Sequence, residues 1–220
     1  MNRYIAIEGI DGAGKTHAQA VVAERIESAG HEVVRVQEPG GTSLGKALRR
    51  LVLFRDGLDA WTEALLFAAD RAQLVADVIG PALTRGAWVV SDRSVYSSLA
   101  YQGAGRQLGV DLVRRINEPG LKDVWPGLVI LLRVGVETGL DRQAWADRRG
   151  IQGQLKFDQM SLPLHATDRI GLSGTGFLSV VREAFDDLAQ QELERFAVVD
   201  AECPLDEVTK VLLAVVEAAL

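Results

Sequence analysis

The sequence predicts an α/β protein: a five-stranded parallel sheet as the middle of three layers, with helices on both faces. Three observations carry that expectation. Five short apolar runs, at 4–8, 31–36, 88–92, 128–132 and 196–199, alternate with stretches of helical period. The first run opens directly into Gly9-Ile10-Asp11-Gly12-Ala13-Gly14-Lys15-Thr16, a glycine-rich turn with a helical pattern behind it. No repeat, low-complexity tract or long linker divides the 220 residues, so 1–220 is expected to form one domain.

The turn fits G-x-x-x-x-G-K-[ST] without a mismatch. Gly9, Gly12 and Gly14 let the backbone around Asp11 and Ala13 turn its N–H groups inward on a phosphate. The N-terminus of the following helix adds partial positive charge. Lys15 reaches the outer phosphates, and the Thr16 hydroxyl is suited to Mg²⁺. A nucleoside triphosphate is expected here.

The elements follow in order. At 16–28, Ala18, Val21, Val22 and Ile26 share one helix face, and Gly30 stops it. The second run, with Val33, Val34 and Val36, ends in the breaker cluster Gln37-Glu38-Pro39-Gly40-Gly41-Thr42. Leu44, Leu48, Leu51 and Val52 mark a helix capped by Thr42 or Ser43, and Asp59 caps a long helix that runs to about Leu83. The third run, 88–92, is apolar until its carboxyl end, as a buried parallel strand requires. Helices are expected at 95–104 and at 110–117, the latter stopped by Pro119-Gly120. After the fourth run come a helix at 138–149, a mobile connection at 150–167, a helix at 177–193, the fifth run and a closing helix at 205–220.

Composition narrows the function. The formal net charge is −6, which argues against a broad nucleic-acid surface, so a bound anion must be met by local arginines. Cys203 is the only cysteine, which rules out an internal disulfide and a cysteine-rich metal site. There is no basic-then-apolar leader, and no stretch approaches the roughly 18 apolar residues of a membrane span. A soluble, cytoplasmic protein is expected.

Three further clusters carry chemistry. Phe67 and Arg71 are one helical turn apart, a flat ring beside a donor fork, which suits a pyrimidine. Asp92-Arg93 ends a buried strand, where ligands gather in open parallel sheets: Asp92 to help place Mg²⁺, Arg93 to neutralise phosphate oxygens. These sit within Leu65-Leu66-Phe67-Ala68-Ala69-Asp70-Arg71 and Asp92-Arg93 with Ser97-Ser98-Leu99-Ala100-Tyr101-Gln102-Gly103. With the phosphate loop and Glu38-Pro39-Gly40-Gly41-Thr42, in this order and spacing, the chain resembles bacterial thymidylate kinases, which transfer the terminal phosphoryl group of ATP to dTMP. The resemblance runs from residue 3 to about 132 and resumes at Asp168-Arg169-Ile170 and Val199-Asp200-Ala201.

That resemblance implies the P-loop nucleoside-monophosphate-kinase fold, ATP and Mg²⁺ as donor and metal, and a homodimer built on helix faces. It implies that Asp11 faces the acceptor sugar, Tyr101 borders the deoxyribose, Gln102 or Ser98 meets the base and Arg49 contacts the acceptor phosphate. Lys15, Asp92 and Arg93 form the fixed catalytic part. Gly12 and Ala13 leave the loop without an arginine, so a lid at about 142–172 is expected to supply the positive charge through Arg148, Arg149 or Arg169.

Several positions depart from the family pattern. Gln37 stands where an arginine is usual, Ser94 where a tyrosine follows Asp-Arg, Gly127 and Arg133 at acidic positions, and 142–168 is longer than usual. These changes leave room for two alternatives. One is a same-fold kinase for a 5-substituted or otherwise modified deoxyuridine monophosphate or another small molecule. The other is a nucleotide-binding module without turnover.

Overall fold

The computed structural model describes residues 2–55, 57–149 and 174–220. Its strands are β1 (Tyr4–Glu8), β2 (Val33–Gln37), β3 (Trp88–Asp92), β4 (Leu128–Arg133) and β5 (Phe196–Asp200). They pair in parallel as one sheet in the order β2-β3-β1-β4-β5. β1 is buried along its whole length, and β3 and β4 up to their last residue, whereas the edge strands β2 and β5 are only half covered. Unbroken apolar runs therefore mark the strands with neighbours on both sides and both faces covered.

Ile7 and Gln37 both lie in register with Asp92, so β1, β2 and β3 finish at the same level. The loops that leave these ends carry the phosphate turn, Glu38-Pro39 and Arg93, and so are brought together by strand register alone. β2 begins two residues later than the sequence suggests. The His31 N–H still closes the preceding helix on the Ile26 carbonyl, and pairing starts only where Trp88 becomes available.

Helices α1 (Lys15–Ser28), α2 (Ser43–Phe54), α3 (Ala60–Leu74), α4 (Gly80–Thr84), α5 (Val95–Ser98), α6 (Val110–Leu121), α7 (Val136–Arg148), α8 (Gly174–Gln191) and α9 (Leu205–Glu217) flank the sheet. Of the two candidate caps before α2, Thr42 is the one used, accepting from the Gly45 N–H at 2.9 Å. Asp59 caps α3 by accepting from Trp61 and Thr62. Two helices expected to be regular carry π-helical turns instead, at Val75–Ile79 between α3 and α4 and at Leu99–Gly105 after α5.

Pro119-Gly120 does not end α6, which continues to Leu121. Packing overrides propensity there. Gly120 lies against α3 so closely that a Cβ would meet that of Ala72 at 2.7 Å, and Lys122, with φ 48°, ends the helix instead. α8 begins at Gly174 and ends at Gln191, and α9 ends at Glu217, each within a few residues of expectation. The connection expected at 150–167, most of the 142–172 lid segment, and Arg169 lie outside the described residues. Among the described residues no helix is long and apolar enough to cross a membrane.

Candidate active site

The glycine-rich turn leaves β1 at Glu8 and enters α1 at Lys15. At Gly12 φ is +77°, and an added Cβ would run into the backbone of Gly139 on α7, so both conformation and contact demand glycine. At Gly9 φ is +139°, and a Cβ would sit 2.6 Å from the Leu132 carbonyl oxygen. Lys15 is folded back over the turn, donating to the Ile10 carbonyl at 2.9 Å with Asp11 at 3.8 Å. Burial and the neighbouring Arg93 lower its ammonium pKa. The Thr16 hydroxyl donates to Asp92 Oδ2 at 2.9 Å.

Beside the turn lies a cleft whose lining includes all eight acceptor candidates: Asp11, Arg49, Phe67, Arg71, Arg93, Ser98, Tyr101 and Gln102. Arg93 stands where phosphate turn and cleft meet. Its φ of +73° is an unusual conformation for a side chain of this size, costing about 1–3 kcal/mol. Its guanidinium donates to Asp11 Oδ1 at 2.5 Å and to Ser97 Oγ at 3.1 Å, and lies 5.1 Å from the centre of the Tyr101 ring. Burial would raise the Asp11 carboxyl, but Arg93 and Lys15 outweigh it and hold it below its ordinary value. Burial, partly offset by Arg93, pushes the Tyr101 phenol up.

Behind Arg93 lies Glu8, fully buried. It accepts from the hydroxyls of Ser94 at 2.7 Å and Ser97 at 2.6 Å and from the Ser97 N–H at 3.2 Å. Its carboxyl is raised by burial, with those hydrogen bonds and Arg93 opposing. Ser94 is thus a buried cap of α5 that ties Glu8 to the arginine-bearing turn.

The opposite end is closed by Arg71, only 2% exposed. Its Nε donates to Glu38 at 2.7 Å, one terminal nitrogen to Asn117 at 2.5 Å, and the other to the Ser94 carbonyl at 3.1 Å and Ser98 Oγ at 3.0 Å. Of the five guanidinium N–H groups one remains for a ligand. Burial raises Glu38 to about 7, with Arg71 opposing and Asp70 reinforcing; its second oxygen has no hydrogen-bond partner among the described residues. Arg49 donates to the Pro39 carbonyl at 2.8 Å.

Arg148 and Arg149 are not brought to the cleft. Arg148 ends α7, and Arg149 lies over the Trp145 ring, 4.5 Å from its centre. The sequence reading missed Glu8, Glu38, Glu63, Asn117 and Ser97 as site members. Two of these carried a signal: Glu8 is a carboxylate ending an apolar strand, and Glu63 shares a helix face with Phe67 and Arg71 at four-residue spacing. Glu38 and Ser97 lie inside the clusters that carry the resemblance but had no role assigned there, and Asn117 could be found only from tertiary contact.

Thr16 and Asp92 offer one hydroxyl and one carboxylate, hard oxygen donors already within hydrogen-bond distance of each other. That donor set fits Mg²⁺, which keeps several waters and takes few protein ligands. Among the described residues no group of three or more His, Cys, Asp or Glu is placed to hold a metal.

A family model described as thymidylate kinase matches residues 7–211. The chain is 40% identical over 216 residues to a thymidylate kinase of Thermomicrobium roseum, an alignment covering 98% of this chain and 95% of that one. It is 42% identical over 205 residues to a thymidylate kinase of Deinococcus radiodurans, covering 93% and 91%, and 37% identical over 221 residues to one of Desulfovibrio desulfuricans, covering 99% and 96%.

Proposed function

Because the chain belongs to the thymidylate kinase family, we propose that it transfers the γ-phosphoryl group of ATP to dTMP. The observation that carries this reading is the junction at Arg93 and Asp11. It joins a phosphate turn ending in Lys15-Thr16 to a cleft lined by Phe67 and Arg71. One end suits a triphosphate, the other a pyrimidine, and the acceptor phosphate falls between them.

The acceptor is already an anion, so the reaction needs no strong base, only alignment and charge neutralisation. ATP binds through the backbone of residues 9–16, and Lys15 meets its outer phosphates. Arg93 and Arg49 meet the acceptor phosphate, Asp11 the 3′-hydroxyl, Phe67 and Tyr101 the base and sugar, and Arg71, Ser98 and Gln102 the polar edge of the base. Thr16 and Asp92 would hold Mg²⁺, which would supply neutralisation of phosphate charge. Arg149, with Arg148 next, is the lid cation that completes the site over the single domain.

A homodimer is supported by an apolar surface on three adjoining helices. Leu44 and Leu51 on α2, Leu65 on α3 and Leu112 on α6 are all exposed, and α3 packs against both of the others. A cytoplasmic setting is consistent with Cys203 being free.

The test is a coupled assay of ADP formation with ATP and Mg²⁺ against dTMP, dUMP, a bulkier 5-substituted dUMP, dCMP, UMP and dGMP. A 5-substituted deoxyuridine monophosphate should give the highest kcat/KM. If dCMP or dGMP outruns every such acceptor, the reading is wrong.

A further inference from the structure

Glu63 lies on α3 one turn before Phe67 and is fully buried. The Gln102 side chain, on the π-helical turn across the cleft, gives its Nε2 to Glu63 Oε1 at 2.9 Å. Arg106 approaches the same carboxylate at 3.3 and 3.4 Å from the rim. As the partner of a guanidinium, Glu63 has only lone pairs to offer. An amide beside it must therefore turn its NH₂ inward. Gln102 lines the cleft, and no described residue donates to its Oε1.

We propose that Glu63 is a positioning residue that locks the Gln102 amide with its carbonyl oxygen toward the acceptor base, so that the cleft selects a ring bearing N3–H. The inference rests on the dTMP reading above and adds what sets the polarity of its base contacts. Ser98 completes the pattern. Its oxygen accepts from Arg71, so its hydroxyl hydrogen is available to the cleft, as is the remaining Arg71 N–H.

Two donors beside one acceptor match the O4 and N3–H edge of thymine or uracil. Cytosine presents the inverse, an amino donor at position 4 and a bare lone pair at N3. It would face the Gln102 carbonyl with a second acceptor and the Arg71 fork with a second donor. Guanine shows the same donor–acceptor edge as thymine, so it has to be excluded by ring size. Without Glu63, the amide could rotate and donate to cytosine N3 at little cost. A buried acceptor-only group removes that freedom.

The experiment compares kcat/KM for dTMP and dCMP in the wild type, Glu63→Gln, Gln102→Leu and the double variant. Glu63→Gln keeps the shape but can donate as well as accept, so Gln102 is free to turn. The dTMP-to-dCMP ratio should fall by about tenfold or more, with the dTMP loss mainly in KM. The double variant should discriminate no worse than Gln102→Leu alone, because Glu63 acts through Gln102.

A ratio unchanged in folded Glu63→Gln, or an equal loss for both substrates, overturns the proposal. A wild type that turns over dCMP but not dTMP sinks the dTMP reading itself and this inference with it. Since Glu63 is fully buried, a second measurement needs no variant: NMR of the Gln102 side-chain NH₂ in the wild type. Its protons should be protected from exchange before dTMP is added and stay so afterwards. Protection that arises only with dTMP means the donor end faces the base, which also overturns the proposal.

Discussion

At the base end of the cleft, Arg71 has its four hydrogen bonds on Glu38, Asn117, Ser98 and a backbone carbonyl, all but beyond the reach of water. At the phosphate end, Lys15 rests on the Ile10 carbonyl and Asp11, Arg93 on Asp11 and Ser97, and Thr16 on Asp92. The first set is a finished wall, with a single N–H left over. The second is a set of charges paired with groups that a phosphate or a metal can displace. On the proposed reading, recognition of the base is thus built into the packing and costs little ordering on binding. The phosphate end is held in balance until substrate charge arrives.

Breaking the wall should cost stability first. Arg71→Ala leaves Glu38 buried without its cation and Asn117 without its donor. Loss of one partner of a buried pair is expected to cost about 3–5 kcal/mol, read from the urea midpoint. A variant as stable as the wild type would mean that the base end is not a wall at all.

Breaking the phosphate end should cost rate. Lys15→Ala removes the charge proposed to meet the transferred phosphates, which among the described residues rests on a carbonyl and a carboxylate. kcat should fall by roughly two to three orders of magnitude or more, while the urea midpoint stays close to that of the wild type. Near-normal turnover would remove the triphosphate from this turn.

The proposed lid cation, Arg149, sharpens the contrast further. Arg149 lies on the ring of Trp145, itself exposed, a contact worth only about 0.5–1 kcal/mol at such a site. A developing phosphoryl charge can draw it away. Arg149→Ala should lower kcat by roughly two orders of magnitude with little change in ATP affinity, as for other arginines on a transferred phosphoryl group. If alanine at 148, 149 and 169 together leaves kcat unchanged, the missing charge comes from elsewhere.

The same contrast decides what could be read from sequence. The phosphate end is encoded within eight consecutive residues plus Asp92-Arg93, and strand register brings them together, so Lys15, Thr16, Asp11 and Arg93 were all legible. Phe67 and Arg71 were legible as a helical pair. Their partners as a set were not, because Glu38, Asn117 and the pair Ser94 and Ser98 converge on Arg71 from three separate segments. Gly127 and Arg133 also became intelligible only in three dimensions. A Cβ at 127 would run into Asn2, and Arg133 pairs with Asp186 at 2.8 Å on the surface, so both departures serve the scaffold. Pro119 misled for the same reason, since the contact between Gly120 and Ala72 is invisible to local propensity.

The smallest expected effect is a difference in sign between the two ends. Asp11, with Arg93 and Lys15 beside it, is held below its ordinary 3.8, so it contributes stability above that pH that is lost as the solution is acidified. Glu38 behaves in the opposite way. Burial raises it from 4.5 to about 7 even beside Arg71, because one oxygen has no donor among the described residues and Asp70 adds a second negative charge. The folded protein therefore binds that proton more tightly than the unfolded chain does. The contribution is complete below pH 4.5 and is lost as pH rises through about 7. Glu38→Gln imitates the protonated form: its carbonyl can still accept from Arg71, and it has no charge to bury. The difference in unfolding free energy, wild type minus Glu38→Gln, should fall steadily between those two pH values and be level on either side. A difference that stays level across the window would mean that Arg71 keeps Glu38 ionised throughout, making the base end as charge-balanced as the phosphate end.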